Sequence, residues 1–361
     1  MPKINSFIEN LNPYKVASHK VWEVSPKERA EILKLDWNEA TIPPSPKVKE
    51  ALLEVIQDEQ AFSLYPNTNN QELLQLLATY SEVNIDEIQY FASSDAAHEY
   101  VAKLVLTSGS KVLILGPTYD NFRLTCESQG AAVEYVNYSY DFTLNTELLS
   151  QEIQRVNPDL VYLCNPNNPS GNLLDLDLIE RLLSKFKAST FLLDEAYFEF
   201  SGITAVTLLK KFSNVFISRT FSKAFALAGF RAGYMISQKE NMELLNRIRN
   251  AKNFTTLTQV AITAALKDLD YMWSYVEEVN QTKKWFSASL SDLGLIVFPS
   301  FGNYVLIRFL DEKQRDAMFN KLAENDVFVR SLSHHEFVKT CLRITVGTRA
   351  QMERVLKIIK E

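Results

Sequence analysis

The chain has little cysteine: three residues, Cys126, Cys164 and Cys341, among 361. They lie far apart without metal-type spacing, so neither a disulfide framework nor a thiolate metal site is expected. Sparse, buried thiols fit a reducing cytoplasm. Positive charge is also lacking. A formal charge of -6 argues against a general nucleic-acid binder, while leaving room for a local basic pocket. No apolar stretch approaches the ~18 residues of a membrane span, and Met1-Pro2-Lys3-Ile4-Asn5-Ser6 has no apolar signal-peptide core. Internal repeats, low-complexity tracts and Gly/Ser linkers are missing too. What remains is an ordinary globular composition, 46% hydrophobic and 23% charged, long enough for two lobes or for a large domain with a smaller companion.

From about residue 90 to 236, short apolar runs alternate with longer amphipathic ones. Strands are expected at Lys111–Leu115, Val133–Val136, Leu160–Cys164, Thr190–Leu193, Val215–Ser218 and Ala232–Ile236, with helices such as Thr146–Val156 and Leu176–Lys187 between them. Such alternation reads as βαβ units around a mostly parallel sheet. Val48, Ala51, Leu52, Val55 and Ile56 have the spacing of an amphipathic helix. A long helical pattern from Leu257 to Leu290 breaks near Asp268-Leu269-Asp270. Beyond it, strands at Tyr304–Phe309, Val327–Arg330 and Leu342–Val346 and helices near Lys313–Asn325 and Ala350–Lys360 suggest a small α+β lobe.

Four segments at expected strand ends carry chemistry. Lys223 stands in Thr220-Phe221-Ser222-Lys223, eight positions before Arg231. An amine flanked by hydroxyls and an arginine can form an imine with a carbonyl cofactor while its neighbours hold a phosphate, the two requirements of pyridoxal phosphate (PLP). In Leu193-Asp194-Glu195-Ala196-Tyr197, a buried strand ends in a carboxylate that can sit beside a protonated pyridine nitrogen, or else cap the next helix. Asn165-Pro166-Asn167-Asn168-Pro169-Ser170-Gly171 is a rigid turn able to hold an asparagine amide still. In Phe91-Ala92-Ser93-Ser94-Asp95, Ser94 or Asp95 is expected to cap a helix whose free N–H groups bind an anion, and Tyr119 after Lys111–Leu115 can stack on a flat ring.

In this order the segments resemble the motifs of fold-type I PLP-dependent aminotransferases, above all the histidinol-phosphate aminotransferase family. Tyr65-Pro66 and Cys341-Leu342-Arg343-Ile344-Thr345-Val346-Gly347-Thr348 extend the resemblance, which covers about residues 34 to 360. It implies a three-layer α/β/α large domain with a mostly parallel sheet and a smaller α+β domain. The expected division is an arm over 1–30, a PLP-binding large domain over 31–260 and a small domain over 261–361.

The resemblance further implies that Lys223 binds PLP covalently and moves a proton between substrate Cα and cofactor C4′. Asp194 would pair with the pyridine N–H, Asn168 and Tyr197 would bond the O3′ oxygen, and Tyr119 would stack on the ring. Ser94, Asp95 (mainly through backbone N–H), Thr220, Ser222 and Arg231 would cradle the phosphate. Tyr65 would reach the cofactor of a neighbouring subunit, implying a homodimer. Arg343 would grip a substrate carboxylate, Arg330 would face a substrate phosphate, and Asn38 would line the substrate mouth. No metal is called for, since the adjacent His334 and His335 point apart.

Two segments depart from the family's pattern, Ala40-Thr41-Ile42-Pro43 and Ser331-Leu332-Ser333-His334-His335-Glu336-Phe337. Both are expected to border the substrate rather than the cofactor. The expected activity is amino transfer between glutamate/2-oxoglutarate and a small phosphorylated substrate, histidinol phosphate or another ketone phosphate and its amino alcohol phosphate. Decarboxylation of a phosphorylated amino acid is the rival within PLP chemistry. A non-catalytic PLP-binding regulator would call for a DNA-binding domain, for which no basic stretch is present.

Overall fold

The computed structural model describes residues 4–9, 11–13 and 20–361. Of the arm expected over 1–30, residues 1–3, 10 and 14–19 lie outside the described residues. After an early strand, β1 (Leu33–Leu35), a seven-stranded sheet is built from β2 (Ile88–Phe91), β3 (Lys111–Gly116), β4 (Ala132–Asn137), β5 (Leu160–Cys164), β6 (Thr190–Asp194), β7 (Val215–Thr220) and β8 (Gly233–Ile236). Their spatial order is β2-β8-β7-β6-β5-β3-β4. Strands β3 to β7 pair in parallel, and β8 alone runs against its neighbours.

Alternation along the strands explains the layers. Val112 and Ile114 of β3 face one apolar cluster while Leu113 and Leu115 face another, and Tyr162 and Leu163 of β5 divide in the same way. Successive side chains of a strand point to opposite faces, so a sheet apolar on both sides needs helices on both. Helices Ser94–Val105, Asn121–Ser128 and Lys239–Ile248 bury Val101, Phe122 and Leu245 on the first face. On the second, Thr146–Val156 buries Leu149 and Ile153, and Leu176–Lys185 buries Ile179 and Leu183. Asn145 and Asp175 start these two helices, accepting hydrogen bonds from the N–H groups of Leu148 and Asp177.

The second sheet adds β9 (Ile296–Phe298), β10 (Tyr304–Arg308), β11 (Val327–Ser331) and β12 (Cys341–Thr345) in the order β1-β11-β12-β10-β9. The helical break near residue 268 is present, between Thr256–Leu266 and Leu269–Asp292. The expected fold class therefore stands: a three-layer, mostly parallel large unit and a smaller α+β one. One placement changes. Residues 33–35, expected in the large domain, instead pair in parallel with β11, Leu33 opposite Val327. This hooks the start of the chain onto its C-terminal sheet and brings residues 36–39 over the edge of the large one.

Candidate active site

Parallel strands end at the same edge, so the loops after β2, β3, β5, β6 and β7 converge there, and β8 sets out from it. Ligands of open α/β sheets bind at this edge. Here it carries a cleft of about 510 Å³ whose wall includes Ser94, Tyr119, Asn168, Asp194, Lys223 and Arg231. Each of these is the yield of a different strand end.

One side of the cleft is an anion cradle. Ser93, rather than the expected Ser94 or Asp95, caps helix Ser94–Val105: its hydroxyl accepts from the Ala96 N–H at 3.1 Å, and its φ is 102°. The correction leaves the first-turn N–H groups facing the cleft, where the helix dipole favours negative charge. Gly233 allows the approach. A Cβ there would lie 2.6 Å from the Ser93 carbonyl carbon, against the Ser94 nitrogen, and 2.9 Å from the Arg219 carbonyl oxygen. Across from the helix, Thr220 Oγ1 and Ser222 Oγ stand 3.0 Å apart. Arg231 pairs with Asp95 at 3.5 Å, and Asp95 also accepts the Tyr119 hydroxyl at 3.2 Å. A helix N-terminus, two hydroxyls and a guanidinium form a donor set suited to a phosphate.

The other side holds the amine and the carboxylate. Lys223 Nζ donates to the Trp37 carbonyl at 2.7 Å. Burial holds its pKa down at about 8, opposed by Glu39 and aided by the positive charges of Arg343 and Lys34. Asp194, at the end of β6, accepts from the Tyr162 hydroxyl at 2.8 Å and from the Ala196 N–H at 3.1 Å. The Tyr197 hydroxyl accepts from Asn38 Nδ2 at 3.0 Å. Arg343 donates to Asn168 Oδ1 and to the Asp36 carbonyl, each at 2.5 Å. An amine whose pKa is drawn down toward neutrality, a fixed carboxylate and a phosphate cradle fit PLP at its aldehyde, its pyridine nitrogen and its phosphate in turn.

All the expected site residues line the cleft except Asn38 and Tyr65. Asn38 is fully buried behind the wall, in a left-handed conformation at φ 56°, and meets the site through Tyr197. Tyr65 is 78% exposed and its ring lies 4.7 Å from Lys252 Nζ, away from the cleft. Of the two departing segments, neither 40–43 nor 331–337 lines the cleft. Thr41 is bound instead to the Tyr275 hydroxyl and Gln351. Trp22, Asp36, Trp37 and Glu39 also stand in the wall. Asp36, Trp37 and Glu39 arrive with Asn38 in the loop after β1, the segment expected at the substrate mouth, whereas Trp22 comes from the short helix Lys20–Glu23, and nothing in its local pattern marks it.

Comparison with known proteins agrees with this geometry. The family model for aminotransferase class I and II matches residues 30–359. A dihydroxyacetone phosphate transaminase of Campylobacter jejuni is 40% identical, over 99% of this chain and 96% of its own. A histidinol-phosphate aminotransferase of Ruminiclostridium cellulolyticum is 32% identical over 97% of this chain and 94% of its own. Among solved structures, histidinol-phosphate aminotransferase of Sinorhizobium meliloti in complex with pyridoxal-5'-phosphate superposes with a TM-score of 0.87 at 25% identity, covering 100% of this chain and 98% of that one. The chain accordingly belongs to the class I and II aminotransferases and is a PLP-dependent enzyme of that family.

Proposed function

We propose that the enzyme moves an amino group between glutamate/2-oxoglutarate and a small ketone phosphate, yielding an amino alcohol phosphate. The carrying observation is a pair of arginines. Arg330 on β11 and Arg343 on β12 are direct cross-strand partners, and both line the cleft beside Lys223. Like charges directly opposite one another destabilise a sheet, and Arg231 already serves the phosphate cradle. Two further guanidiniums suit a substrate phosphate at Arg330 and a substrate carboxylate at Arg343, which an alternating cycle presents in turn. The 40% identical dihydroxyacetone phosphate transaminase supports a three-carbon ketone phosphate over the bulkier histidinol phosphate.

In this reading PLP, when bound, supplies the electron sink for the carbanion at substrate Cα. Lys223 would serve as the acid–base group that takes up and gives back the Cα proton. Asp194 would hold the pyridine N–H, Asn168 and Tyr197 would hold the ring oxygen, and Tyr119 would offer its ring as a stacking surface. The N–H groups of Ser94 and Asp95, with Thr220, Ser222 and Arg231, hold the phosphate. Tyr65 reaches the cofactor of a second subunit in a homodimer. Its exposure beside the exposed Leu53, Ile56, Phe62 and Leu64 supports such an interface, and a monomer in sedimentation at micromolar concentration would overturn it. No helix among the described residues is long and apolar enough to cross a membrane, and three free, buried cysteines support a cytoplasmic setting.

The test is a set of half-reactions. Dihydroxyacetone phosphate with glutamate should turn over faster than the histidinol-phosphate pair; the reverse order would overturn the preference. Arg330→Ala should raise KM for the phosphorylated substrate by about 10- to 100-fold, the loss of a charged hydrogen bond, and leave KM for glutamate nearly unchanged. Equal effects on both would remove Arg330 from phosphate recognition. Lys223 carries a pH signature as well. Its amine is nucleophilic only when neutral, so PLP capture by the cofactor-free protein should speed up as pH rises through about 8. A midpoint near the ordinary lysine value would contradict the buried setting.

A further inference from the structure

We propose that Tyr162 is a positioning residue for Asp194, held in place by Phe122 and His98 in the apolar layer beneath helix Ser94–Val105. The inference rests on the reading above that Asp194 meets the pyridine nitrogen. Tyr162 sits in the middle of β5 and is fully buried. Its hydroxyl donates to Asp194 Oδ2 at 2.8 Å, while Oδ1 takes the Ala196 N–H at 3.1 Å. The two donors engage different oxygens, so together they stop rotation of the carboxylate about its Cβ–Cγ bond. Each oxygen keeps a lone pair for a pyridine N–H.

The phenol is itself clamped. Phe122 stacks on it at 4.9 Å and 29°, and His98 meets its edge at 5.9 Å. His98 is anchored in turn, with Nε2 2.6 Å from Oγ of Ser218, the β7 residue that pairs with Asp194 in the sheet. Burial, reinforced by the Asp194 charge, raises the phenol well above its ordinary pKa, so the hydroxyl stays a donor. A buried carboxylate without donors is costly. Tyr162 therefore keeps Asp194 aimed, without touching substrate or cofactor.

The test is a double-mutant cycle read on cofactor affinity as well as on turnover. Tyr162→Phe keeps the ring and removes the donor. Its kcat should fall about 10- to 100-fold, the value of a hydrogen bond to a charged group. KM for glutamate should hold, and the affinity of the cofactor-free protein for PLP, followed by quenching of tryptophan fluorescence, should weaken by a similar factor. In an Asp194→Asn background the same change should have little further effect on PLP affinity. An equal loss in both backgrounds, or none in either, would overturn the positioning role. If Asp194→Asn alone leaves PLP affinity unchanged, the reading of Asp194 fails instead, and the two failures are thereby distinguished. Should Tyr162→Phe not fold, 3-fluorotyrosine at position 162, a stronger donor of nearly the same shape, must alter kcat without altering KM; no change in kcat would count against the proposal.

Discussion

Lys223→Ala protein is expected to lose turnover by about 10⁴-fold, the upper range for removal of a positioned acid–base group, and to lose the visible absorption of the covalently loaded enzyme. The reason is that no other lysine among the described residues lines the cleft. Burial brings the Lys223 amine down to about 8, close to working pH, where a group exchanges protons most effectively. Lys223→Arg should be no better, because a guanidinium neither attacks an aldehyde nor gives up its proton near neutrality. A small primary amine added to the Lys223→Ala protein should restore part of the activity, since it supplies the missing base without the missing tether. Stopped-flow and steady-state assays of the purified variants check all three. Full turnover in Lys223→Ala would end the assignment.

The second large effect is on stability. Arg219, the β7 residue before Thr220, is 2% exposed and pairs with Glu195, 1% exposed, at 3.0 Å. Its guanidinium also lies 3.5 Å from the centre of the Phe198 ring and donates to Thr204. Glu199 is buried close by, and burial lifts its pKa to about 8, so near neutral pH it is mostly uncharged and Arg219 chiefly balances Glu195. Arg219→Ala leaves the buried Glu195 carboxylate without its countercharge and should cost about 3–5 kcal/mol. Replacing both partners, Arg219→Met with Glu195→Leu, should recover most of that loss, because the desolvation penalty leaves with the pair. Urea unfolding of the cofactor-free proteins measures both. A loss under about 1 kcal/mol for Arg219→Ala would show that the remaining Thr204 and Ala205 donors to Glu195 suffice.

The difference between Lys223 and Tyr162 explains what could be read in advance. Lys223, Asp194 and Asn168 each follow a short apolar run, and the run itself places them at or just beyond a strand end; once the strands are parallel, one edge collects them. Tyr162 lies inside such a run, where an aromatic looks like any other core residue, and its bond to Asp194 exists only through the β5–β6 register. His98 is hidden in the same way within a helix. The anion cradle is legible as a helix start, but the cap falls on Ser93 rather than on Ser94 or Asp95, because serine and aspartate are equally good caps and the three stand side by side. Strands β1 and β9 span three residues each, too few to express an alternation. The segment 35–39 is legible as a border of the substrate mouth, but the crossing of β1 to β11 that carries it there is not.

That crossing has a temporal side. Asp36 and Arg343 share a hydrogen bond across 307 residues of sequence, and β1 has β11 as its strand neighbour in the sheet. On a ribosome adding about 5–20 residues per second, Asp36 and Trp37 emerge tens of seconds before β11 and β12 exist to secure them. The parallel sheet and its lysine can assemble during synthesis, but the wall that receives the Lys223 amine closes only after the C-terminal strands are made. A nascent chain truncated before β11 should therefore bear the lysine without holding PLP.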